Sequence, residues 1–138
     1  MKISDLYKIF NNHPNVTTDT RNIKENSIFF ALKGDNFNGN KFARKAIKDG
    51  CHYAIIDQSE FQLNEKYILV DDVLKCLQNL ATYHRDQIMI PVIGITGTNG
   101  KTTSKELIYS CLSTELNTLA TDGNYNNHIG VPLTLLRI

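Results

Sequence analysis

Apolar residues recur at the spacing of an α-helix in three stretches of the first 88 residues. Residues 3–10 are apolar at positions 3, 6, 7 and 10, and Ser4 is a candidate N-cap. Residues 40–49 have a helical pattern that Gly50 would end as a C-cap, and residues 72–87 form a longer amphipathic stretch. The pattern therefore predicts three helices in this part of the chain.

Short apolar runs separate these helices and predict a buried sheet. Residues 27–32, 53–56 and 67–70 are each short, apolar and bounded by polar or turn-forming residues. Such runs are typical of strands in a parallel sheet, which is covered on both faces. The alternation of strands with helices indicates a small α/β domain over residues 1–88.

A second unit begins after a joint at residues 90–91. Residues 92–96 are an apolar run that predicts a strand, and a glycine-containing loop leads from it into a helix expected over 101–115. Residues 118–121 are a further candidate strand, and Pro132 is expected at the first position of another helix. This order of elements is typical of a parallel α/β sheet.

Residues 89–138 are therefore interpreted as the beginning of a second, parallel-sheet domain. Such a domain needs several strands covered on both faces, and this stretch supplies two strands with their helices at most. The chain is expected to be the front part of a longer protein or a deliberately shortened piece of one. An incomplete parallel sheet leaves a strand edge unpaired, which predicts self-association.

The composition excludes several classes of function. A net charge of +1, from 15 basic and 14 acidic side chains, favours neither nucleic acid nor a membrane surface as a partner. No apolar run has the length of a signal peptide or a membrane span. Three cysteines without a CxxC pair, Cys51, Cys76 and Cys111, indicate small buried side chains in a reducing compartment. We therefore expect a cytoplasmic protein that inserts into no membrane.

The loop that follows residues 92–96 has the pattern GxxGK[ST]. Gly97 and Gly100 permit backbone angles that turn successive N–H groups toward one point, where the following helix adds its positive end. Lys101 can reach the β- and γ-phosphates of a nucleotide, which makes it the candidate catalytic residue, and a threonine hydroxyl can bind Mg²⁺, with Thr102 the first candidate. The candidate phosphate-binding residues are Gly97, Thr98, Asn99, Gly100, Lys101, Thr102 and Thr103.

This loop has two other interpretations. Ile95 stands where the strict Walker pattern has glycine, so a glycine-rich turn without a ligand remains an alternative. A plain turn, however, does not need a lysine and two threonines directly after its last glycine. The dinucleotide pattern GxGxxG is excluded because its first pair of glycines is absent. A nucleoside triphosphate is the better match.

A second polar segment, residues 123–130, is rich in asparagine and precedes an apolar run. Ligands of open α/β sheets gather at the carboxyl ends of the strands, so we expect this segment to face the phosphate loop. Asn126 and Asn127 are candidates to hold a carbonyl or phosphate oxygen of a substrate. An asparagine-rich surface turn is the alternative, and no role is assigned to His128.

The two motifs together resemble those of the Mur ligase family, the ATP-dependent ligases of cell-wall precursor synthesis. TGTNGKTT at 96–103 and NYNNHIGVPLTLL at 124–136 are similar to the family's motifs, and IFFALKG at 28–34 resembles a strand of its first domain. The triplet Asp-Thr-Arg at 19–21 resembles a further element of that domain. In the loop DNFNGNKF at 35–42, asparagine stands at the two positions where Asp and His are usual.

This resemblance implies that the first domain binds the UDP end of a substrate and that the second binds ATP with Mg²⁺. The branch that matches best joins D-alanyl-D-alanine to UDP-N-acetylmuramoyl-tripeptide through an acyl phosphate, and full-length members are expected to be monomeric. This chain alone is expected to be inactive. The substrate-binding residues implied are Thr20, Arg21, Lys33, Gly34, Asn38, Gly39, Asn126 and Asn127.

Two further hypotheses remain. The chain could belong to another phosphate-loop enzyme, such as a kinase or a folate-type ligase, or it could be a non-catalytic UDP-sugar-binding module. From the residues alone, Asp19 and Arg21 also fit an Asx-turn with a solvated arginine.

Overall fold

The computed structural model describes residues 1–123 and 125–138 and has an α/β fold around a parallel sheet. The strands are β1 (Val16–Thr17), β2 (Ile28–Phe30), β3 (Lys33–Gly34), β4 (Phe37–Asn38), β5 (Tyr53–Ile56) and β6 (Tyr67–Leu69). The helices are α1 (Ile3–Asn12), α2 (Ala43–Lys48), α3 (Val73–Gln87), α4 (Lys101–Leu112) and α5 (Gly130–Leu135).

The main sheet has four strands in the order β1-β2-β5-β6, and every neighbouring pair is parallel. All three residues of the interior strand β2 are buried, as expected for a parallel sheet covered on both faces. β3 and β4 pair separately as an antiparallel hairpin, which follows β2 closely in the chain. The predicted α/β class with a parallel sheet is confirmed.

Helices cover both faces of this sheet. One apolar cluster joins α1, α3 and the end of α5 to the sheet and includes Phe30 and Leu77. The other joins α2 to the opposite face and includes Phe29 and Ala46. Phe29 and Phe30 belong to different clusters because successive side chains of a strand point to opposite faces.

The elements predicted for the first 88 residues form, with corrections at two helix starts. The structure has a strand at the predicted residues 53–56 and an α3 whose N-cap, Asp72, accepts a hydrogen bond from the backbone N–H of Lys75 at 2.8 Å. Ser4 is not the N-cap of α1, because the helix already includes it and begins at Ile3.

The second correction concerns the predicted helix over 40–49. It begins as a 3-10 turn, Gly39–Phe42, and becomes α-helical only in α2. Gly50 follows with a φ of 119°, a left-handed conformation suited to the end of a helix.

The second part of the chain departs further from prediction. Neither 92–96 nor 118–121 forms a strand in the described chain. A strand exists through hydrogen bonds to a neighbouring strand, and the main sheet pairs only β1, β2, β5 and β6 with one another. α4 ends at Leu112, short of the predicted 115, and Pro132 is the third residue of α5, not the first.

The last helix of the chain packs on the first domain. α5 lies against α3, and Leu136, directly after α5, is buried in the same cluster as Leu77. A hydrogen bond of 3.0 Å from Gln78 Nε2 to the backbone carbonyl of His128 adds a polar contact. The segment that precedes α5 is therefore anchored on α3.

The three cysteines differ in exposure. Cys51 is buried as expected and Cys76 is partly buried, whereas Cys111 is exposed on α4, which corrects the expectation for that residue. Burial raises the pKa of the Cys76 thiol to about 11. Within the described ranges, no helix is both long and apolar enough to cross a membrane.

Candidate functional site

The phosphate loop turns sharply at its two glycines before α4 begins. Gly97 has a φ of 149° and Gly100 a φ of 77°, values that side-chain-bearing residues rarely adopt. Gly100, the N-cap of α4, has no side chain that could cap the helix. The first N–H groups of the helix are therefore available to an anion. The local backbone therefore provides the anion-binding end of a helix.

An open cleft of about 530 Å³ lies at this loop. The ammonium group of Lys101 folds back across the loop and donates a hydrogen bond to the carbonyl of Gly97. Backbone N–H groups, an ammonium group and threonine hydroxyls together suit a polyphosphate with a bound Mg²⁺. The lining residues are Thr98, Asn99, Gly100, Lys101, Thr102, Thr103 and Asn126.

The two asparagines of the second motif have different positions. Asn126 lines the phosphate-loop cleft, so the two motifs do meet as the sequence predicted. The Oδ1 of Asn127 accepts hydrogen bonds from the backbone N–H groups of Ile129 and Gly130, at 3.0 and 2.8 Å. Asn127 therefore caps the start of α5, a structural contact that sequence reasoning did not distinguish from ligand binding.

A hydrogen bond and an ion pair hold the segment that leads to Asn126. Lys105, one turn after Lys101 on α4, donates a hydrogen bond of 2.7 Å to the carbonyl of Thr121. Arg137 pairs with Asp122, the next residue. These contacts tie the segment before Asn126 to α4 and to the residues that follow α5.

A second cleft, of about 370 Å³, lies beside the β3–β4 hairpin. Two lysines, Lys33 and Lys41, and one acidic residue, Asp35, line it, so its charge favours an anion. Phe37 also lines it, and its ring stacks on that of Phe42 with centroids 5.3 Å apart. Three of the predicted substrate residues, Lys33, Gly34 and Asn38, line this cleft.

Gly39, a fourth predicted residue, has a steric role. A Cβ at this position would lie 2.4 Å from the carbonyl oxygen of Leu32 and 2.7 Å from the carbonyl carbon of Ala31. Its own N–H donates to the Leu32 carbonyl at 2.9 Å. Only glycine allows the hairpin to close this tightly on the end of β2.

Buried polar side chains support the second cleft. Asn40, with no exposed surface, donates from Nδ2 to Asp57 Oδ1 at 2.9 Å and to Asn38 Oδ1 at 3.0 Å. Its own Oδ1 accepts from the backbone N–H of Asp57 at 3.1 Å. Asp57 Oδ2 in turn lies 3.0 Å from the ammonium nitrogen of Lys33.

Thr20 and Arg21 lie outside the linings of both clefts. They follow β1, while Lys33 follows β2 and Asp57 follows β5. These strands are parallel neighbours, so all of these residues come after carboxyl ends at one edge of the sheet, where open α/β sheets bind ligands.

The arginine of this group is already paired. Arg21 donates to both carboxylate oxygens of Asp19, at 3.0 Å from Nε and 2.6 Å from Nη2, and the backbone forms the expected Asx-turn. These hydrogen bonds lower the pKa of the Asp19 carboxyl to about 2. The guanidinium of Arg21 is largely exposed and retains donors for a ligand.

Sequence reasoning missed Asp57, Lys41, Phe37 and Lys105. Asp57 carried the clearest signal, since it is an acidic residue directly after a buried strand. The contact of Asp57 with Asn40 joins positions 17 apart and was not visible as a motif.

The fold and the loop together define a class of protein. A GxxGK[ST] loop at the N-terminus of a helix, in a chain with an α/β fold, is typical of phosphate-loop proteins.

Comparison with known sequences identifies the family. Residues 14–85 match the "Mur ligase family, catalytic domain", and residues 95–138 match the "Mur ligase middle domain". The chain belongs to the Mur ligase family, which confirms the resemblance found in its motifs.

Curated relatives carry a more specific name. The chain is 43% identical over 123 residues to the UDP-N-acetylmuramoyl-tripeptide–D-alanyl-D-alanine ligase of Bacillus subtilis, an alignment that covers 88% of this chain and 27% of that protein. It is 41% identical to the Escherichia coli enzyme of the same name, over 89% of this chain and 27% of that protein. The chain thus spans about a quarter of the length of these relatives.

Solved structures of Mur ligases are also similar to this chain. The MurF ligase of Thermotoga maritima in complex with ADP superposes with a TM-score of 0.80 at 29% identity, over 99% of this chain and 30% of that one. MurF from Acinetobacter baumannii gives a TM-score of 0.79 at 36% identity, over 90% of this chain and 27% of that one.

Proposed function

We propose that this chain supplies the substrate-anchoring domain and the phosphate loop of an ATP-dependent ligase that joins D-alanyl-D-alanine to UDP-N-acetylmuramoyl-tripeptide. The phosphate loop carries the proposal, because Gly100 and Lys101 line one cleft with Asn126, and Gly97 turns the backbone just before it. The names of relatives 43% and 41% identical to the chain support the substrates.

The reaction proceeds by activation of a carboxylate. ATP supplies the γ-phosphoryl group to the terminal carboxylate of the tripeptide, which yields an acyl phosphate and ADP. The amine of D-alanyl-D-alanine then attacks the acyl carbon and loses a proton. Inorganic phosphate leaves with the bonding electron pair as the tetrahedral intermediate collapses to the amide.

Several residues of the chain have roles in this scheme. Lys101 binds the β- and γ-phosphates and balances their charge, the usual contribution of a lysine in phosphoryl transfer. The hydroxyl of Thr102, which lines the cleft, would hold the Mg²⁺ that accompanies the nucleotide. Asn126 orients the substrate across the nucleotide. Because the Asn127 oxygen already caps α5, only its amide N–H₂ is left for a ligand.

The first domain, residues 1–88, would anchor the UDP group, and residues 89–138 would begin the ATP-binding domain. Thr20, Arg21, Lys33 and Asn38 supply hydroxyl, guanidinium, ammonium and amide groups at one edge of the sheet. A diphosphate is recognised by such charge-assisted donors. The ligase would act in the cytoplasm on small-molecule substrates, with no nucleic acid involved.

Calorimetric titration with the UDP-linked tripeptide tests this proposal. The wild-type chain should bind it saturably, and Arg21→Ala should weaken binding about fivefold to tenfold by removing a charged donor. Arg44→Ala, which removes an exposed arginine from α2, is the matched control and should bind as the wild type does.

Each outcome has a clear meaning. Failure of a folded wild-type chain to bind the UDP compound would contradict the assignment of the first domain. Equal losses in the two arginine variants would mean that only net charge matters, and the role of Arg21 would be withdrawn.

A further inference from the structure

The ion pair between Lys33 and Asp57 joins a half-exposed side chain to a nearly buried one. Lys33 Nζ lies 3.0 Å from Asp57 Oδ2, and the exposed fractions of the two side chains are 47% and 5%. The carboxylate is therefore held inside the protein, while the Lys33 side chain is half-exposed and lines the cleft.

Asn40 determines where that carboxylate points. It is fully buried, donates to Asp57 Oδ1, and accepts from the backbone N–H of the same residue. Because one contact holds the Asp57 backbone and the other holds its Oδ1, Asn40 fixes the orientation of the Asp57 carboxylate. The second oxygen, Oδ2, is left directed at Lys33. A buried side chain that makes this many hydrogen bonds is costly to rearrange.

We propose that Asp57, oriented by Asn40, is a positioning residue that presents the Lys33 ammonium group to a diphosphate in the second cleft. An ammonium group has three N–H donors, and Asp57 takes one of them. A lysine whose direction is already fixed loses less side-chain entropy when a ligand binds. The inference rests on the proposed function, which assigns Lys33 to the UDP group of the substrate.

For the substitution Asp57→Asn, positioning and simple electrostatics predict opposite changes in the affinity for UDP. Asp57→Asn removes a negative charge beside the cleft, so electrostatics alone predicts tighter binding of an anion. The same change turns an N–H donor of the new amide toward Lys33 if the oxygen keeps its bond to Asn40. Lys33 is then released, and positioning predicts weaker binding.

Titration of the whole chain with UDP makes the measurement. Asp57→Asn should weaken UDP binding about threefold to tenfold, and Lys33→Met should weaken it by a similar factor. In the double variant the second substitution should add nothing, because Asp57 acts through Lys33. Glu60→Gln is the matched control, since it removes the same charge from an exposed position and should leave affinity unchanged or slightly higher.

Asp57→Glu provides a second variant if Asp57→Asn does not fold. It keeps the charge and displaces the carboxylate by one methylene, so weaker UDP binding is again expected. Wild-type affinity in either Asp57 variant overturns the proposal, as does an equal loss from Asp57→Asn with and without Lys33. A folded wild-type chain that does not bind UDP removes the proposed substrate site itself, and this inference with it.

Discussion

Helices α3 and α4 have comparable lengths and opposite surroundings. α3 buries five residues along one side, including Leu77 and His84, whereas α4 buries none. The same contrast holds for the strands: β2 is buried throughout, but residues 92–96, also predicted as a strand, pair with nothing in the described chain. A helix closes its hydrogen bonds within its own segment, whereas a strand and a buried helix face both require a partner.

The largest expected effect comes from removing the same side chain in both regions. Leu77→Ala should lower the free energy of unfolding by about 3 kcal/mol, because it leaves a cavity in the cluster under the sheet. Leu107→Ala, at a position 63% exposed on α4, should cost less than about 0.5 kcal/mol. Urea denaturation of the two variants measures the difference.

This pair also tests whether α4 stays exposed in solution. A cost at Leu107 close to that at Leu77 would mean that the apolar side of α4 is covered, for instance by a second copy of the chain. Light scattering over a range of concentrations would then distinguish self-association from rearrangement within one chain.

A substitution at Lys101 should have a smaller effect, which lowers nucleotide affinity without lowering stability. Lys101→Met should reduce affinity for Mg-ADP about 30-fold, or about 2 kcal/mol, because it removes the charged donor of the phosphate loop. The free energy of unfolding should change little, since within the described residues the ammonium group donates hydrogen bonds to exposed loop carbonyls. Calorimetry gives the affinity, and Lys75→Met, an exposed lysine of α3, is the control. Unchanged affinity in Lys101→Met would show that the loop does not hold the nucleotide.

The smallest effect is a pH dependence confined to the first region. Burial lowers the pKa of His84, whose Nε2 has no hydrogen-bond partner within residues 1–123 and 125–138. Below about pH 6.5 the unfolded chain takes up a proton that the folded chain resists, so stability falls as the pH falls. His84→Phe should reduce this slope in denaturation measured from pH 8 to pH 5.

Two features make the His84 result interpretable. At pH 8 the imidazole is neutral in both states, so any difference between the chains there reports packing and the lost hydrogen bond to the Tyr7 hydroxyl. His52, whose pKa is lowered by burial and by the neighbouring His13, keeps its own share of the dependence. An unchanged slope in His84→Phe would show that His84 is hydrated in solution.

The sequence predicted most of the first domain because its elements are locally encoded. β5 was predicted to the residue, as a buried run between the Gly50 turn and Asp57. The approach of the phosphate loop to Asn126 was also predicted, although the two strands expected before these motifs do not form in the described chain. The Asp57–Asn40 contact was not, because it depends on how a hairpin folds back over the sheet.

The prediction of a strand over 92–96 was wrong because a strand depends on a partner. Its apolar residues satisfy every local criterion for a strand, but pairing is a property of the surroundings and not of the segment. The role of Asn127 was missed in the same way, since an asparagine that caps a helix and one that binds a ligand look identical in sequence.

The anchoring of α5 on α3 has a thermodynamic consequence. Asn126 lines the phosphate-loop cleft, while the helix that follows it packs on the first domain. A nucleotide that binds only the folded chain at one hundred times its Kd adds about 2.7 kcal/mol to the free energy of unfolding. One end of this segment lines the cleft and the other packs on the first domain. Nucleotide binding should therefore also stabilise the first domain, even without direct contact between the two. Occupancy of the phosphate-loop cleft and folding of the first domain are thereby coupled quantities.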